Sequence, residues 1–396
     1  MKAERWDDWM VGELRALDAA GLTRRLRPMA SADGRTVVTG GKLVLSAAGN
    51  GYLGLAHDPE VLAAARTALE TSGASSQASR LVAGDHPLHH ALEHECAELV
   101  GLPCALAAGS GYLANVGLLR VLGRDATILS DERNHASIVD GCRAAGARAV
   151  RRYRHGDAAE ADRLLEETAR EGGRALLVTE SLFSVDGDLA PLAELGRSCA
   201  AHGALFVVDE AHGLGVAGAT GRGGLEEAGR PGGADAVVGT LGKALGGYGA
   251  FVACSPELRA LLVTRLRTTV YSTALPPAVL GGCLAAVRRL RRDPALVQRL
   301  QANARALRAR LAAAGFRIPG EAWSPIVPVV LGDNRDTLAA AARLLEAGVL
   351  VAALRPPTVP EGTARLRLSV SAAHTAEDVE TIAAAVIRCV PGRRGA

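Results

Sequence analysis

Between about residue 55 and residue 285 the chain alternates alanine-rich helical stretches with short, nearly continuous apolar runs, a pattern that leaves few folds open. A run that is apolar at every position, not at every second one, has to be covered on both faces, which is the situation of a parallel strand flanked by helices. The clearest runs are Ala175 to Thr179, Ala204 to Asp209, Ala236 to Thr240 and Ala250 to Cys254. They predict an α/β fold built on a mostly parallel sheet. Polar residues gather just past three of them: Thr179 to Asp188, Asp209 to Gly213, and Thr240 to Lys243. Ligands of open α/β sheets bind outside the carboxyl ends of the strands, so one sheet edge is expected to carry the chemistry.

The rest of the chain predicts two smaller parts. Residues 1–48 read as an N-terminal segment with a helix from Asp7 to Ala20 and an extended piece around Val37 to Leu45, expected to pack across the other domains. Residues 49–285 form the large α/β domain. Residues 286–396 form a smaller α+β domain, with strands at Ile326 to Leu331 and Arg365 to Val370 flanking a helix from Thr337 to Ala347. One or two long helices span Ala278 to Ala314.

Composition removes several classes of function. With 48% hydrophobic residues and a net charge of +3, the chain is not of the disordered type. No segment offers about 18 consecutive apolar residues, so no membrane span is expected. Asp7 and Asp8 interrupt the N-terminus where a signal peptide needs an apolar run, which predicts a cytoplasmic protein. Seven scattered cysteines without a C-x-x-C pair predict reduced, buried thiols and no metal site. The 42 acidic residues nearly cancel 45 basic ones, and no basic stripe is interleaved with aromatics, so no nucleic-acid partner is expected.

Only three of the basic residues are lysines, Lys2, Lys42 and Lys243. Lys243 stands in Gly239-Thr240-Leu241-Gly242-Lys243-Ala244-Leu245-Gly246-Gly247. A phosphate-binding P-loop is excluded because Val237 and Ala244 occupy two of its defining positions. No G-x-G-x-x-G opens an early strand-helix unit, which excludes the dinucleotide fingerprint. What remains is an amine at a strand end, between glycines that admit a planar group, with the Thr240 hydroxyl three residues before it. That arrangement suits a Schiff base to an aldehyde cofactor. Asp209, ending a buried strand, suits the pyridine nitrogen of pyridoxal 5'-phosphate, and His212 suits its phenolic oxygen. Taken singly, Asp209 also suits a helix N-cap and His212 an ordinary turn.

At these residues the chain resembles the α-oxoamine synthase family of pyridoxal-phosphate enzymes. The resemblance runs from about Leu22 to Thr375. It is carried by Asn50 to Leu55, Ser110 to Asn115, Asn134 to Ser137, Phe183 to Asp188, Asp209 to Gly215, Gly239 to Gly246 and Tyr271 to Pro277, in that order. It implies a type I pyridoxal-phosphate transferase fold acting as a homodimer. It also implies Lys243 as the Schiff-base lysine, Asp209 and His212 as ring partners, and Gly111 and Tyr112 as phosphate-binding amides. Ser184 and Thr240 would add hydroxyls, and His135 would stack on the ring and meet substrate. Arg355 would hold the amino-acid carboxylate, Thr358 would share that substrate pocket, Asn50 would face substrate, and Arg24 would lie near the acyl donor. Read without the family, His135 suits a helix cap and Arg24 a solvated basic segment.

Within the family, Leu354 to Pro360 followed by Gly362 to Arg367 is similar to the member that condenses L-alanine with pimeloyl-CoA or a pimeloyl carrier protein. Members that join glycine to a short acyl-CoA remain a rival, and so does an aminotransferase that consumes no thioester. Two departures bear on the acyl donor. Gly49-Asn50-Gly51 lacks the acidic residue usual beside Asn50, and the loop usually rich in glycine reads Ser75-Ser76-Gln77-Ala78-Ser79-Arg80.

Overall fold

Apolar residues alternate between two cores in the computed structural model, which describes residues 5–390. Lys2 lies outside the described residues. Seven strands form the large sheet: β1 (Cys104–Ala108), β2 (Thr127–Asp131), β3 (Ala149–Tyr153), β4 (Ala175–Glu180), β5 (Leu205–Asp209), β6 (Ala236–Thr240) and β7 (Ala250–Cys254), in the order β1-β7-β6-β5-β4-β2-β3. Leu177, Val208, Val237 and Phe251 enter one core. Their neighbours Leu176, Val207, Val238 and Val252 enter the other. Since successive side chains of a strand point to opposite faces, burial on both faces is what makes the runs continuously apolar.

Strands β2 to β6 pair in parallel. β7 departs from the expected direction, running antiparallel to both β6 and β1. Its composition gives no hint of this, because coverage of both faces demands apolar residues whichever way the strand runs. β1 to β3 were not among the clear runs. β1 is alanine-rich, and β3 reads Ala149-Val150-Arg151-Arg152-Tyr153 because it lies at the sheet edge with alternately exposed residues.

A second, six-stranded sheet has the order Ala30–Ser31, Thr36–Thr39, Lys42–Ala47, Val349–Leu354, Ala364–Ser369, Ile326–Gly332. Lys42–Ala47 pairs in parallel with Val349–Leu354, so the N-terminal extended piece is a strand of the C-terminal sheet. Two helices, Pro277–Arg292 and Ala295–Ala313, follow the large domain. The second bridges the two units: Leu296, Val297 and Leu300 enter the large core, while Ala304, Leu307 and Leu311 enter the small one. The helix Trp6–Ala19 buries none of its residues, against the expectation that it packs across the other domains. It is joined to the body at its C-terminal end, where Arg335 and Arg355 donate to the carbonyls of Ala19 and Gly21.

Two glycines hold the Lys243 turn in place. A Cβ on Gly239 would stand 2.3 Å from the Phe251 ring on the neighbouring strand. Gly246 has φ +67° and packs against the backbone of Leu55 and Ala56, where a Cβ would meet Ala56 N at 2.3 Å. Only glycine takes that conformation at that separation without strain.

Candidate active site

The carboxyl ends of β4, β5 and β6 bring Glu180, Asp209 and Thr240 to one edge, and Lys243 lies in the turn after β6. Asp209 is buried. Its Oδ2 accepts from Asn115 Nδ2 at 2.6 Å and its Oδ1 from the Ala211 amide at 2.8 Å. The same Asn115 amide group donates to Ser137 Oγ at 2.9 Å. Ser137 Oγ in turn lies 2.8 Å from His135 Nδ1. One chain of hydrogen bonds therefore runs from the β5 carboxylate to His135, the N-cap of helix Ala136–Ala144.

Burial dominates the electrostatics. It pushes the pKa of Lys243 down, Arg367 adds to that shift, and the nearby Asp209 and Glu180 oppose it. Burial likewise pushes the Glu180 carboxyl up, reinforced by Asp209 and opposed by Lys243. His212 falls well below the ordinary imidazole range through burial and through the positive charge of Lys243 and Arg367. His135 is lowered by partial desolvation and by Lys243, with Asp209 opposing. Burial and Arg367 therefore bring the amine toward its neutral, nucleophilic form against the pull of two carboxylates, a balance that suits an imine-forming lysine.

Arg367 was missed by the sequence reading, and the structure places it in this cluster. It lies on the strand Ala364–Ser369 of the small sheet and is buried. Its Nη1 donates to the Ser184 carbonyl at 3.0 Å and its Nη2 to Asn50 Oδ1 at 2.6 Å. Its Nε is buried with no hydrogen-bond partner among the described residues, and no carboxylate pairs with it among them. Its strand neighbour two residues back, Arg365, pairs with Asp186 instead. The Arg-Leu-Arg alternation was the available signal: both arginines point to the same face of their strand, and that face is buried. Glu180 and Asn115 also went unremarked as site residues.

The predicted residues distribute as follows. The helix Gly111–Leu122 begins at the site, and Ser110 Oγ and O accept from the Leu113 and Ala114 amides. The amides of Gly111 and Tyr112 have no acceptor among the described residues. The Tyr112 side chain is exposed and donates to Asp140 Oδ2 at 2.5 Å. Thr240 Oγ1 lies 3.2 Å from the Gly249 carbonyl and accepts from the Gly242 amide at 3.3 Å. Ser184 and Thr358 line one cavity of about 630 Å³ with Asn134, Phe183, Asp186 and Arg365. Arg355 donates to the Gly21 carbonyl, with Arg24 beside it lowering its pKa after burial does. The arginine that acts on Lys243 is thus Arg367, and Arg355 belongs with Arg24 at the Gly21 turn.

These residues fit pyridoxal 5'-phosphate. Asp209 accepts one N–H donor at each oxygen, Lys243 is half-buried near it, and two helix-start amides have no acceptor among the described residues, as a phosphate site requires.

Residues 42–386 match the model of the family described as aminotransferase class I and II. The chain is 49% identical over 385 residues to an 8-amino-7-oxononanoate synthase of Anaeromyxobacter dehalogenans, covering 97% of this chain and 96% of that one. It is 47% identical over 385 residues to the synthase of the same name from Methylococcus capsulatus, covering 96% and 97%. Among solved structures, serine palmitoyltransferase from S. paucimobilis, with bound pyridoxal phosphate and myriocin, superposes with a TM-score of 0.90 at 33% identity, covering 96% of each chain.

Proposed function

Because this chain belongs to the aminotransferase class I and II family, and within it to the α-oxoamine synthases, we propose that its site joins L-alanine to a pimeloyl thioester. The product is 8-amino-7-oxononanoate, a precursor of biotin; a carbon–carbon bond forms, and thiol and CO2 leave. The observation that carries this reading is the near-half identity, over almost the whole chain, to synthases of that name.

Pyridoxal 5'-phosphate is the cofactor, and when bound it supplies an electron-poor ring that takes up the electron pair released at the α-carbon. The chain's own groups do the rest. Lys243 Nζ, its pKa lowered by burial, would hold the aldehyde and, once displaced by the substrate amine, would take the α-proton. Asp209 would hold a proton at the ring nitrogen, and His212 would bond the phenolic oxygen. Gly111 and Tyr112 would offer their amides to the phosphate, and Ser184 and Thr240 would add hydroxyls. His135 would stack on the ring and polarise the thioester oxygen.

For the amino-acid carboxylate, Arg367 joins Arg355 as a candidate. Each has a buried Nε without a hydrogen-bond partner among the described residues, Arg367 stands beside Asn50, and a guanidinium takes a carboxylate through two parallel hydrogen bonds. Arg24, close enough to Arg355 to lower its pKa, suits the distal carboxylate of the acyl chain, and Thr358 lines the cavity with Ser184. We assign a second copy of the chain as the protein partner, and the exposed Leu81, Val82 and Tyr271 are candidates for the face it covers. The seven cysteines are all free, which supports a reducing, cytoplasmic setting. No helix of the described residues is long and apolar enough to cross a membrane.

The likeness to serine palmitoyltransferase favours a second reading with L-serine and a longer acyl chain. A panel of L-alanine, glycine and L-serine against acetyl, pimeloyl and palmitoyl thioesters, scored by thiol release and product mass, separates them. L-alanine with a pimeloyl thioester is expected to lead. A better rate with glycine and acetyl-CoA, or amino-group exchange without thiol release, overturns the proposal.

A further inference from the structure

Tyr52 is buried to 1% exposure between the two halves of the site. Its hydroxyl lies 2.8 Å from His212 Nδ1 and 3.2 Å from Asn50 Oδ1. Asn50 Oδ1 also receives Arg367 Nη2, and Arg367 Nη1 reaches the Ser184 carbonyl. A single buried chain therefore runs Ser184–Arg367–Asn50–Tyr52–His212, from the small sheet to the loop after β5.

Asn50 Oδ1 can only accept, so the single Tyr52 hydroxyl proton goes to Asn50 and the Tyr52 oxygen accepts from Nδ1–H of His212. Nε2 has no hydrogen-bond partner among the described residues and is left as the nitrogen that meets a ligand. A neutral imidazole carries one proton on one of two nitrogens, and the bond made by one decides the role of the other. The hydroxyl suits this task because it remains protonated: burial pushes its pKa up to about 12, with Arg367 opposing. The charged or titratable groups facing His212 are Lys243, Arg367 and His135, all of which disfavour an imidazolium.

We propose that Tyr52 is a positioning residue that sets the tautomer of His212 and couples it, through Asn50, to the guanidinium of Arg367. A carboxylate drawn to Arg367 competes with Asn50 for the same N–H groups, so filling the carboxylate end alters the bond that orients the imidazole. This rests on the proposed function for the identity of the carboxylate, and not for the chain of bonds itself.

The test uses full-length protein with 15N-labelled histidine, freed of cofactor, with the His212 resonances assigned by His212→Gln. The wild type is expected to show one neutral tautomer for His212. Tyr52→Phe is expected to show shifts averaged between the two. Asn50→Ala leaves Tyr52 in place but cuts the chain one link away, and is expected to move the same resonances. In the cofactor-loaded protein without thioester, the Kd for L-alanine is expected to rise about tenfold in either variant, and no further in the double variant, since members of one network are not additive. Unchanged His212 shifts in both variants, or independent multiplication of their effects on Kd, overturns the proposal. The histidine spectra need neither substrate nor cofactor, so a failed thiol-release assay on the wild type would count against the function alone.

Discussion

Two histidine clusters occupy the same edge of the large sheet and have opposite character. His155, just past β3, places Nδ1 3.0 Å from Asp131 Oδ1 and Nε2 2.7 Å from Asp188 Oδ2. Burial alone would lower its pKa, but the two carboxylates outweigh burial and raise it to about 9. His212, past β5, has Lys243, Arg367 and His135 around it and is driven well down. The first cluster is a bonded clamp, in which two carboxylates hold one imidazolium by direct hydrogen bonds. The second is mismatched: Lys243, Arg367, Glu180 and Asp209 stand near one another, and no ion pair joins them among the described residues. Burial is common to both, so the arrangement of partners decides whether a histidine becomes a structural cation or a neutral hydrogen-bonding group. Mismatch of this kind marks a site that awaits charged ligands.

The contrast can be broken most directly at Lys243. Lys243→Arg keeps the charge but removes a deprotonatable amine, and thiol release is expected to fall by about 100- to 10,000-fold, measured under saturating substrate. If Arg367 is the unpaired cation that substrate completes, Arg367→Lys should weaken L-alanine binding by about 10- to 100-fold in equilibrium titrations, while Arg355→Lys changes it far less. Equal effects would remove the distinction drawn between the two arginines. Asn115→Ala deletes the 2.6 Å donor to Asp209 and is expected to cost about 1–3 kcal/mol of stability in denaturant melts, with a roughly tenfold slower turnover.

The smallest effect belongs to the His155 clamp. The folded-state pKa of His155 lies above its ordinary value of 6.5, at about 9, so its contribution to stability is complete below about pH 6.5 and is lost as pH rises through about 9. Thermal melts of the wild type should therefore decline over that window. His155→Gln should flatten that part of the decline, and an unaltered slope would show that the clamp does not contribute.

Legibility in the sequence followed the range of the interactions. Asp209, His212 and Lys243 could be read because each stands within a few residues of the end of an apolar strand, and parallel strands bring such ends together. Arg367 could not, because its strand belongs to another sheet, and Arg365 beside it has the same sequence surroundings yet is neutralised by Asp186. Arg355 could be read through its motif; its guanidinium donates to the Gly21 carbonyl, and its Nε has no partner among the described residues. The direction of β7, and the recruitment of Lys42–Ala47 into the C-terminal sheet, likewise left no local trace.

By itself the sequence determined the layered α/β architecture, the sheet edge at which polar groups gather, and the candidate amine on that edge, because burial on two faces and the periodicity of side chains are local properties. Tertiary structure alone decided which arginine stands unpaired beside that amine, how Asn115 anchors Asp209, and how Tyr52 joins His212 to Asn50. Each of those depends on distances between segments about a hundred or more residues apart, and hydrogen bonds and unscreened charges are sensitive to separations of a fraction of an ångström that no spacing along the chain encodes.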